Sequence, residues 1–145
     1  MNKSLNIGIV ISRFNEEITN KLYKSTLKKL QNLGVKAEQI SNYFVPGAIE
    51  IPITAQHLLE SRKYQMIIAL GAVIRGKTSH YDYVCQQVSY GCQKIALKYN
   101  VPIIFGILTT DNEEQALERV SGKNDKGIEV ANTAIEMINI LSSIR

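Results

Sequence analysis

The sequence predicts a three-layer α/β/α fold in which helices cover both faces of a four-stranded parallel sheet. Short apolar runs alternate along the chain with longer segments whose apolar residues recur at helical spacing. The run at 66–70, MIIAL, is apolar throughout and is bounded by Gly71, which is typical of a strand buried on both faces. No linker, repeat or low-complexity segment interrupts this alternation, so we expect residues 1–145 to form a single domain.

Four strands are predicted, at residues 6–12, 40–45, 66–72 and 101–109. Between the first two lies a helix whose apolar face runs from Ile18 to Leu33 and which Gly34 closes. Pro46-Gly47 turns the chain into a second helix that reaches about residue 61, with Pro52 in the first turn, where proline is tolerated.

Three more helices complete the alternation. A long one follows the third strand and ends near Tyr99. Asp111 or Asn112 caps a short helix that ends near Val120. The last helix is lined by apolar residues at helical spacing, namely Ile128, Ala131, Ile135, Ile138 and Leu141.

Composition and charge exclude several classes of function. The net charge is +4 and the pI is about 9.1. However, the most basic helix surface, Lys21, Lys24, Lys28 and Lys29, has no aromatic platform beside it, which indicates a solvated helix face rather than a nucleic-acid surface. The sequence has no apolar run of about 18 residues and no signal-peptide pattern, so we expect a cytoplasmic protein with no membrane partner.

Cysteine and histidine usage predicts no metal site. Cys85 and Cys92 lie on one predicted helix, too far apart for a disulfide, and are expected to be reduced core residues. The chain has two histidines and no paired metal-ligand motif. His57 is interpreted as an ordinary helix residue.

The segment 71–84, GAVIRGKTSHYDYV, combines an anion-binding turn with a proton-transfer residue. It joins a predicted strand to a predicted helix, which places Lys77, Thr78 and His80 at or near the helix N-terminus. Free N–H groups at that position favour an anion, and phosphate is the usual ligand. A histidine side chain exchanges protons near neutral pH, so phosphate binding and acid/base chemistry are predicted to share one site.

The same segment also fits the P-loop expression G-x-x-x-x-G-K-[ST], which would indicate a nucleotide-binding enzyme. Against that interpretation, Val73 and Ile74 are β-branched and look like a continuing strand rather than a loop that wraps phosphate. A nucleoside triphosphatase also needs an acidic residue at the end of another strand to hold Mg²⁺. Asp111 is the nearest candidate, and it is better explained as a helix start.

Polar and aromatic residues follow each predicted strand, where parallel sheets bind ligands. Phe14 follows the first strand and is suited either to plug the core or to stack on a flat heterocycle. Glu50 follows the second and suits either a helix start or the binding of sugar hydroxyls. His80 follows the third and Asp111 the fourth, so these side chains are expected to meet at one edge of the sheet.

Taken together, these segments resemble one family, lumazine synthase, which acts in the penultimate step of riboflavin biosynthesis. The matching segments occur in family order and cover nearly the whole chain: IGIV with RFN at 7–15, VPGAIEIP at 45–52, 71–84, FGILTT at 105–110, EQALER at 114–119 and NDKG at 124–127. The resemblance implies a flavodoxin-like fold and the condensation of 5-amino-6-(ribitylamino)uracil with 3,4-dihydroxy-2-butanone 4-phosphate to 6,7-dimethyl-8-ribityllumazine. It implies no cofactor and no metal.

The resemblance also implies a role for each matching residue. His80 is the proton-transfer residue. Binding of the ribitylaminouracil falls to Phe14, Ala48, Ile49, Glu50, Ala72, Val73, Ile74 and Phe105. Binding of the butanone phosphate falls to Lys77, Thr78 and Arg119. Phe105 and Arg119 are expected to come from a neighbouring subunit of a homo-oligomer, a pentamer or a sixty-subunit shell, and riboflavin synthase is a candidate partner.

The sequence departs from the family pattern in three places. Ile49 is aliphatic where many relatives carry an aromatic residue, the chain begins only six residues before Ile7, and the loop at 121–125 leaves the alignment of Lys126 and Glu129 less secure than that of Arg119. Lys126 and Glu129 therefore stay candidate site residues. A lumazine or flavin carrier without turnover is the remaining alternative, but it would need only the ring-binding residues and not both His80 and Arg119.

Overall fold

A computed structural model describes residues 5–144, and it confirms the predicted three-layer α/β/α architecture. Four parallel strands form one sheet in the order β2-β1-β3-β4, with bounds β1 Ile7–Ser12, β2 Ile40–Val45, β3 Met66–Ile74 and β4 Ile103–Thr110. The helices are α1 Glu16–Asn32, α2 Glu50–Glu60, α3 His80–Tyr99, α4 Glu113–Glu118 and α5 Lys126–Ile144. Two short 3₁₀ turns, Ala37–Gln39 and Gly122–Asn124, were not predicted.

Apolar side chains on the two faces of the sheet pack into two separate hydrophobic cores. On one face, Ile7, Ile9 and Ile11 are fully buried against α1 and α5. On the other, Val10 and Ile67 pack with α2 and α3. Because successive strand residues point to opposite faces, each central strand must bury side chains on both, and β3 is apolar throughout while β1 is apolar up to Ile11 and ends at the buried Ser12.

Of the two central strands, β3 extends beyond the end of its pairing with β1, and this leaves part of one edge of β3 unpaired. β3 pairs with β1 only as far as Leu70, opposite Ile11, but it pairs with β4 as far as Ile74, opposite Thr110. Residues 71–74 therefore extend past the last β1 partner with one free edge. The prediction ended β3 at residue 72; the β-branched Val73 and Ile74 continue it.

The prediction for the start of β4 was wrong by two residues. β4 begins at Ile103 rather than Val101, because the N–H of Val101 donates to the carbonyl of Ala96 in the last turn of α3, over 3.1 Å. Pro102 has no N–H to give, although its carbonyl accepts from Ile67. Smaller differences are that β1 begins at Ile7 rather than residue 6, β4 ends at Thr110 rather than 109, and α4 ends at Glu118 rather than near Val120. The predictions of Gly34, with a φ of 99°, after α1 and of Pro52 in the first turn of α2 are confirmed.

Candidate active site

A pocket of about 510 Å³ lies at the carboxyl ends of β1, β2 and β3, where a parallel sheet is expected to bind ligands. Its volume is within the range for small-molecule sites. Below it is called the strand-end pocket. It is lined by Phe14, Asn15, Gly47, Ala48, Ile49, Glu50, Ala72, Val73, Ile74, Gly76, Thr78, His80, Tyr81 and Val84.

The free edge of β3 forms part of the wall. The N–H groups of Ile67 and Arg75 donate to carbonyls on the β4 side, so odd-numbered residues of this strand direct their backbone groups towards β4. Ala72 and Ile74 must direct theirs the other way, into the pocket. This geometry also excludes the P-loop interpretation, because residues 71–74 form an extended strand and do not wrap a phosphate.

The loop after β1 presents Phe14. The N–H of Arg13 donates to the carbonyl of Val45 over 2.8 Å, and that of Phe14 donates to Pro46 over 3.0 Å. Next in the chain, Asn15 has a φ of 64°, and its side-chain amide donates to the carbonyl of Ala72 over 2.9 Å. The Phe14 ring is 72% exposed, so it is not a core plug; it lies open at the pocket, available for a planar ligand.

The turn after β2 places Ala48, Ile49 and Glu50. Ala48 is buried, Ile49 is 44% exposed, and Glu50 is the first residue of α2. The N–H of Glu50 donates to the carbonyl of Gly47 over 3.2 Å. A carboxylate at a helix N-terminus is favourable, and here it also faces the pocket.

The sequence predicts an anion site at the N-terminus of α3. His80 is the first residue of the helix, and the preceding Ser79 makes no side-chain capping hydrogen bond. The N–H of His80 donates a long hydrogen bond of 3.4 Å to the hydroxyl of Thr78. Thr78 and His80 are exposed and line the pocket, whereas Lys77 is exposed without lining it.

Sequence reasoning assigned no role to Tyr81, which also lines the pocket. Burial is the main cause that raises the pKa of the Tyr81 hydroxyl above its ordinary value, and the nearby Cys85 and Thr109 also influence it. The Arg75 guanidinium lies 4.3 Å from the ring centroid. These contacts depend on the direction of one side chain from the first turn of α3, for which the sequence carries no signal.

The remaining predicted residues lie elsewhere, along the outer side of the edge strand β4. Phe105, 37% exposed, shares a cavity of about 240 Å³ with Lys126 and Glu129. Arg119 and Lys126 line a second cavity of about 500 Å³ beside β4 and α4. We call Phe105, Arg119, Lys126 and Glu129 the edge cluster. Among residues 5–144, the linings of these two cavities share no residue with that of the strand-end pocket.

Charges within the edge cluster are partly paired. Glu129 lies 3.1 Å from the Lys126 ammonium and 3.6 Å from the Arg119 guanidinium. The backbone N–H of Lys126 donates to the carbonyl of Arg119 over 2.7 Å. The Arg119 side chain is 41% exposed, so its guanidinium keeps donors for an anion. Lys126 and Glu129, the two less securely aligned residues, thus lie beside Arg119.

Over the part of the chain that the structure describes, no cluster of three or more His, Cys, Asp or Glu side chains has metal-binding geometry. In the same residues no helix is long and apolar enough to cross a membrane. Both cysteines are free; Cys92 is buried as predicted, whereas Cys85 is only partly buried.

The fold and the pocket define an α/β protein with a small-molecule site at the carboxyl ends of its strands. Residues 4–142 match the family of 6,7-dimethyl-8-ribityllumazine synthase, and the chain belongs to that family. Among its relatives are the 6,7-dimethyl-8-ribityllumazine synthases of Coxiella burnetii strains CbuG_Q212 and RSA 493 / Nine Mile phase I. Each is 51% identical over 142 residues, which covers 97% of this chain and 94% of the relative.

Proposed function

We propose that the strand-end pocket is where this chain makes 6,7-dimethyl-8-ribityllumazine, as a transferase of riboflavin biosynthesis. The reaction condenses 5-amino-6-(D-ribitylamino)uracil with 3,4-dihydroxy-2-butanone 4-phosphate and releases water and inorganic phosphate. Membership of the family over nearly the full chain carries the proposal. The pocket supports it, since it combines an aromatic platform, a free strand edge, an anion site and a histidine.

The pyrimidine half of the site uses the free edge of β3. Ile74 presents its backbone N–H and C=O groups to the pocket and Ala72 its N–H, which match donors and acceptors of a uracil ring; the Ala72 carbonyl already accepts from Asn15. Phe14 stacks on the ring, Glu50 binds the ribityl hydroxyls, and Ala48, Ile49 and Val73 supply apolar contacts.

The phosphate half uses the N-terminus of α3. Thr78 and His80 line the pocket there, with the His80 N–H donating to the Thr78 hydroxyl over 3.4 Å, and an anion at this helix end gains from the helix dipole. Lys77 adds a positive charge nearby. Arg119 binds the phosphate with its planar fork of donors.

His80 transfers protons between these two halves. The amine of one substrate attacks the ketone of the other, water and phosphate leave, and the ring closes, so a group that both gives and accepts protons near neutral pH serves several steps. Holding two substrates in register supplies up to roughly 7 to 11 kcal/mol of the barrier reduction. His80 therefore accelerates a reaction that positioning already favours.

The active unit is a homo-oligomer, with Arg119 and Phe105 of one copy completing the pocket of its neighbour. Two observations support this. The edge cluster lies outside the strand-end pocket of its own chain. In addition, Tyr83, Tyr90 and Leu97 recur every seven residues on α3 and are 64%, 66% and 73% exposed, which favours packing against another helix. The predicted state is a pentamer or a sixty-subunit shell.

Complementation between two impaired variants tests this proposal. His80→Asn and Arg119→Ala are each expected to be slow alone. When the two chains are mixed while unfolded and then assembled together, about a quarter of the shared sites should hold both native residues, because each site draws on two randomly chosen copies. Turnover should rise to about that fraction of wild type. Turnover that stays at the average of the two variants would place His80 and Arg119 in the site of the same chain and would overturn the shared-site proposal. A wild-type chain that forms no lumazine would overturn the proposed activity.

A further inference from the structure

Arg75 is the first residue after β3, and it contacts three different elements. Its backbone N–H donates to the carbonyl of Thr110 over 2.8 Å, which closes the β3–β4 ladder. Its Nε donates to Asp111 Oδ1 over 2.9 Å, in the connection between β4 and α4. Its Nη1 lies 3.4 Å from Asp82 Oδ1, and its guanidinium lies 4.3 Å from the Tyr81 ring centroid.

The partners of Arg75 on α3 are the two residues that directly follow His80. Tyr81 and Asp82 share the first turn of the helix with His80. Between Arg75 and this turn, residues 76–79 are all exposed, so few packing contacts fix their path. The guanidinium thus bridges the exposed turn and joins the end of β3 to the start of α3.

Neither fold stability nor phosphate binding explains this arrangement well. The side chains of Arg75, Asp82 and Asp111 are 45%, 54% and 65% exposed, and ion pairs at such exposure contribute little to stability. The two carboxylates and the Tyr81 ring already occupy the guanidinium. An arginine is always charged at ordinary pH, and here that charge is already paired with Asp111 and Asp82; the hydrogen bond with Asp111 raises the pKa of Arg75 above its ordinary value.

We propose that Arg75 is a positioning residue, which fixes His80 by holding the first turn of α3 to β3 and to the β4–α4 connection. This rests on the proposed function, because it assumes that His80 transfers protons in the strand-end pocket. A planar fork suits the task, since Nε and Nη1 each point at a different carboxylate in fixed relative directions. Lysine keeps the charge but not these two directions.

Steady-state kinetics of Arg75→Gln test the proposal. We expect turnover to fall by about 10- to 100-fold, with the KM of each substrate changed by less than about threefold, as for a catalytic group moved without loss of binding. Lys21→Gln is the matched control. It breaks another exposed ion pair, Lys21 with Glu17 at 3.9 Å on α1, and should leave turnover at the wild-type level.

A double-mutant cycle with His80→Asn separates positioning from other roles. In the His80→Asn background, Arg75→Gln should cost less than about threefold, because the group that Arg75 positions is already gone. Losses that multiply in the double variant, or a rise confined to the KM of the butanone phosphate, would overturn the proposal. The wild-type protein in the same assay tests the proposed function itself, because a wild type without turnover would show that the proposed function is wrong, whatever Arg75 does.

A spectroscopic measurement gives a result that does not depend on turnover. The chain holds only two histidines, and His57 is exposed on α2, outside the pocket. In NMR spectra of protein with ¹³C-labelled histidine rings, Arg75→Gln should move the His80 signals and leave those of His57 in place. Unmoved His80 signals would overturn the proposal. If Arg75→Gln fails to fold, Asp111→Asn is the second variant, because it keeps Arg75 and removes one of its partners. It should move the same His80 signals and lower turnover by less than the loss expected for Arg75→Gln. Wild-type signals and turnover in Asp111→Asn would overturn the proposal.

Discussion

The side-chain amide of Asn15 donates to the carbonyl oxygen of Ala72 over 2.9 Å, and so joins the loop that carries Phe14 to the free edge of β3. Asn15 holds a φ of 64°, which asparagine tolerates better than most residues. One residue thus sets both the direction of the loop and its distance from the strand that faces the ligand.

Asn15→Gly should weaken binding of the ribitylaminouracil. Glycine keeps the positive φ but loses the amide, so we expect a loss of about 0.5 to 1.5 kcal/mol, the net value of one hydrogen bond. Calorimetric titration measures it. Asn100→Gly is the matched control, because Asn100 has a similar φ of 56° at the end of α3 and does not line the pocket. Equal effects of the two substitutions would contradict a local role for the Asn15 amide.

His80→Asn should slow turnover by roughly 10- to 1,000-fold while both substrates still bind, because asparagine keeps some hydrogen bonding but transfers no proton near neutral pH. The pH profile of turnover should become flatter below neutrality. Single-turnover kinetics across pH measure both effects. Wild-type turnover with an unchanged profile would leave substrate positioning as the only catalytic device of the pocket.

The strand-end pocket was largely predictable because strand order and direction place its parts. Phe14, Glu50 and His80 lie far apart in the chain, but each follows a parallel strand, and the carboxyl ends of those strands meet at one edge. Local rules also limited the cap of α4 to Asp111 or Asn112, and the structure shows the Asn112 side chain accepting from the N–H of Gln115 over 2.8 Å.

Contacts that depend on one side-chain direction were not predictable. Asp111 looked equally suited to cap α4, but its carboxylate pairs with Arg75 instead. No role was assigned to Asn15 or Tyr81, although asparagine at the start of a helix is a weak signal for a left-handed residue. The roles given to individual site residues by family resemblance stay predictions, including those of the edge cluster.

Arg119→Ala should weaken the use of the butanone phosphate by about 2 to 3 kcal/mol, as expected for a charge-assisted contact, and should leave binding of the pyrimidine nearly intact. The ratio of kcat/KM for the butanone phosphate between variant and wild type gives this value. Glu129→Gln is a useful comparison because it frees the guanidinium from its partner at 3.6 Å. If Arg119→Ala impairs both substrates equally, Arg119 supports the fold or an interface instead.

Stability should fall at alkaline pH in part because of Cys92. Burial raises the pKa of its thiol to about 12 from an ordinary 9.0. The folded state therefore disfavours the thiolate, so this contribution is complete below pH 9 and is lost as the pH rises towards 12. Urea unfolding across that range should show a steeper decline for wild type than for Cys92→Val, whose side chain does not ionise. Identical slopes would show that Cys92 ionises in the folded state as easily as in the unfolded chain.

Gly106 in β4 should tolerate no side chain. A Cβ there would lie 2.7 Å from Leu70 Cδ2 and 2.9 Å from both the carbonyl oxygen of Ala69 and Val130 Cγ2. The Ala69 backbone cannot yield without disturbing the ladder, so Gly106→Ala should lower the free energy of unfolding by about 1 to 3 kcal/mol, the usual cost of overpacking.

Gly76→Ala is the control, since no atom lies within 4 Å of its added Cβ, and it should change stability by less than about 0.5 kcal/mol. Urea unfolding at one fixed protein concentration measures both, because assembly makes apparent stability depend on concentration. Equal stabilities of the two variants would mean that β4 moves away from β3 at little cost, and the adjacent Phe105 would then move with it.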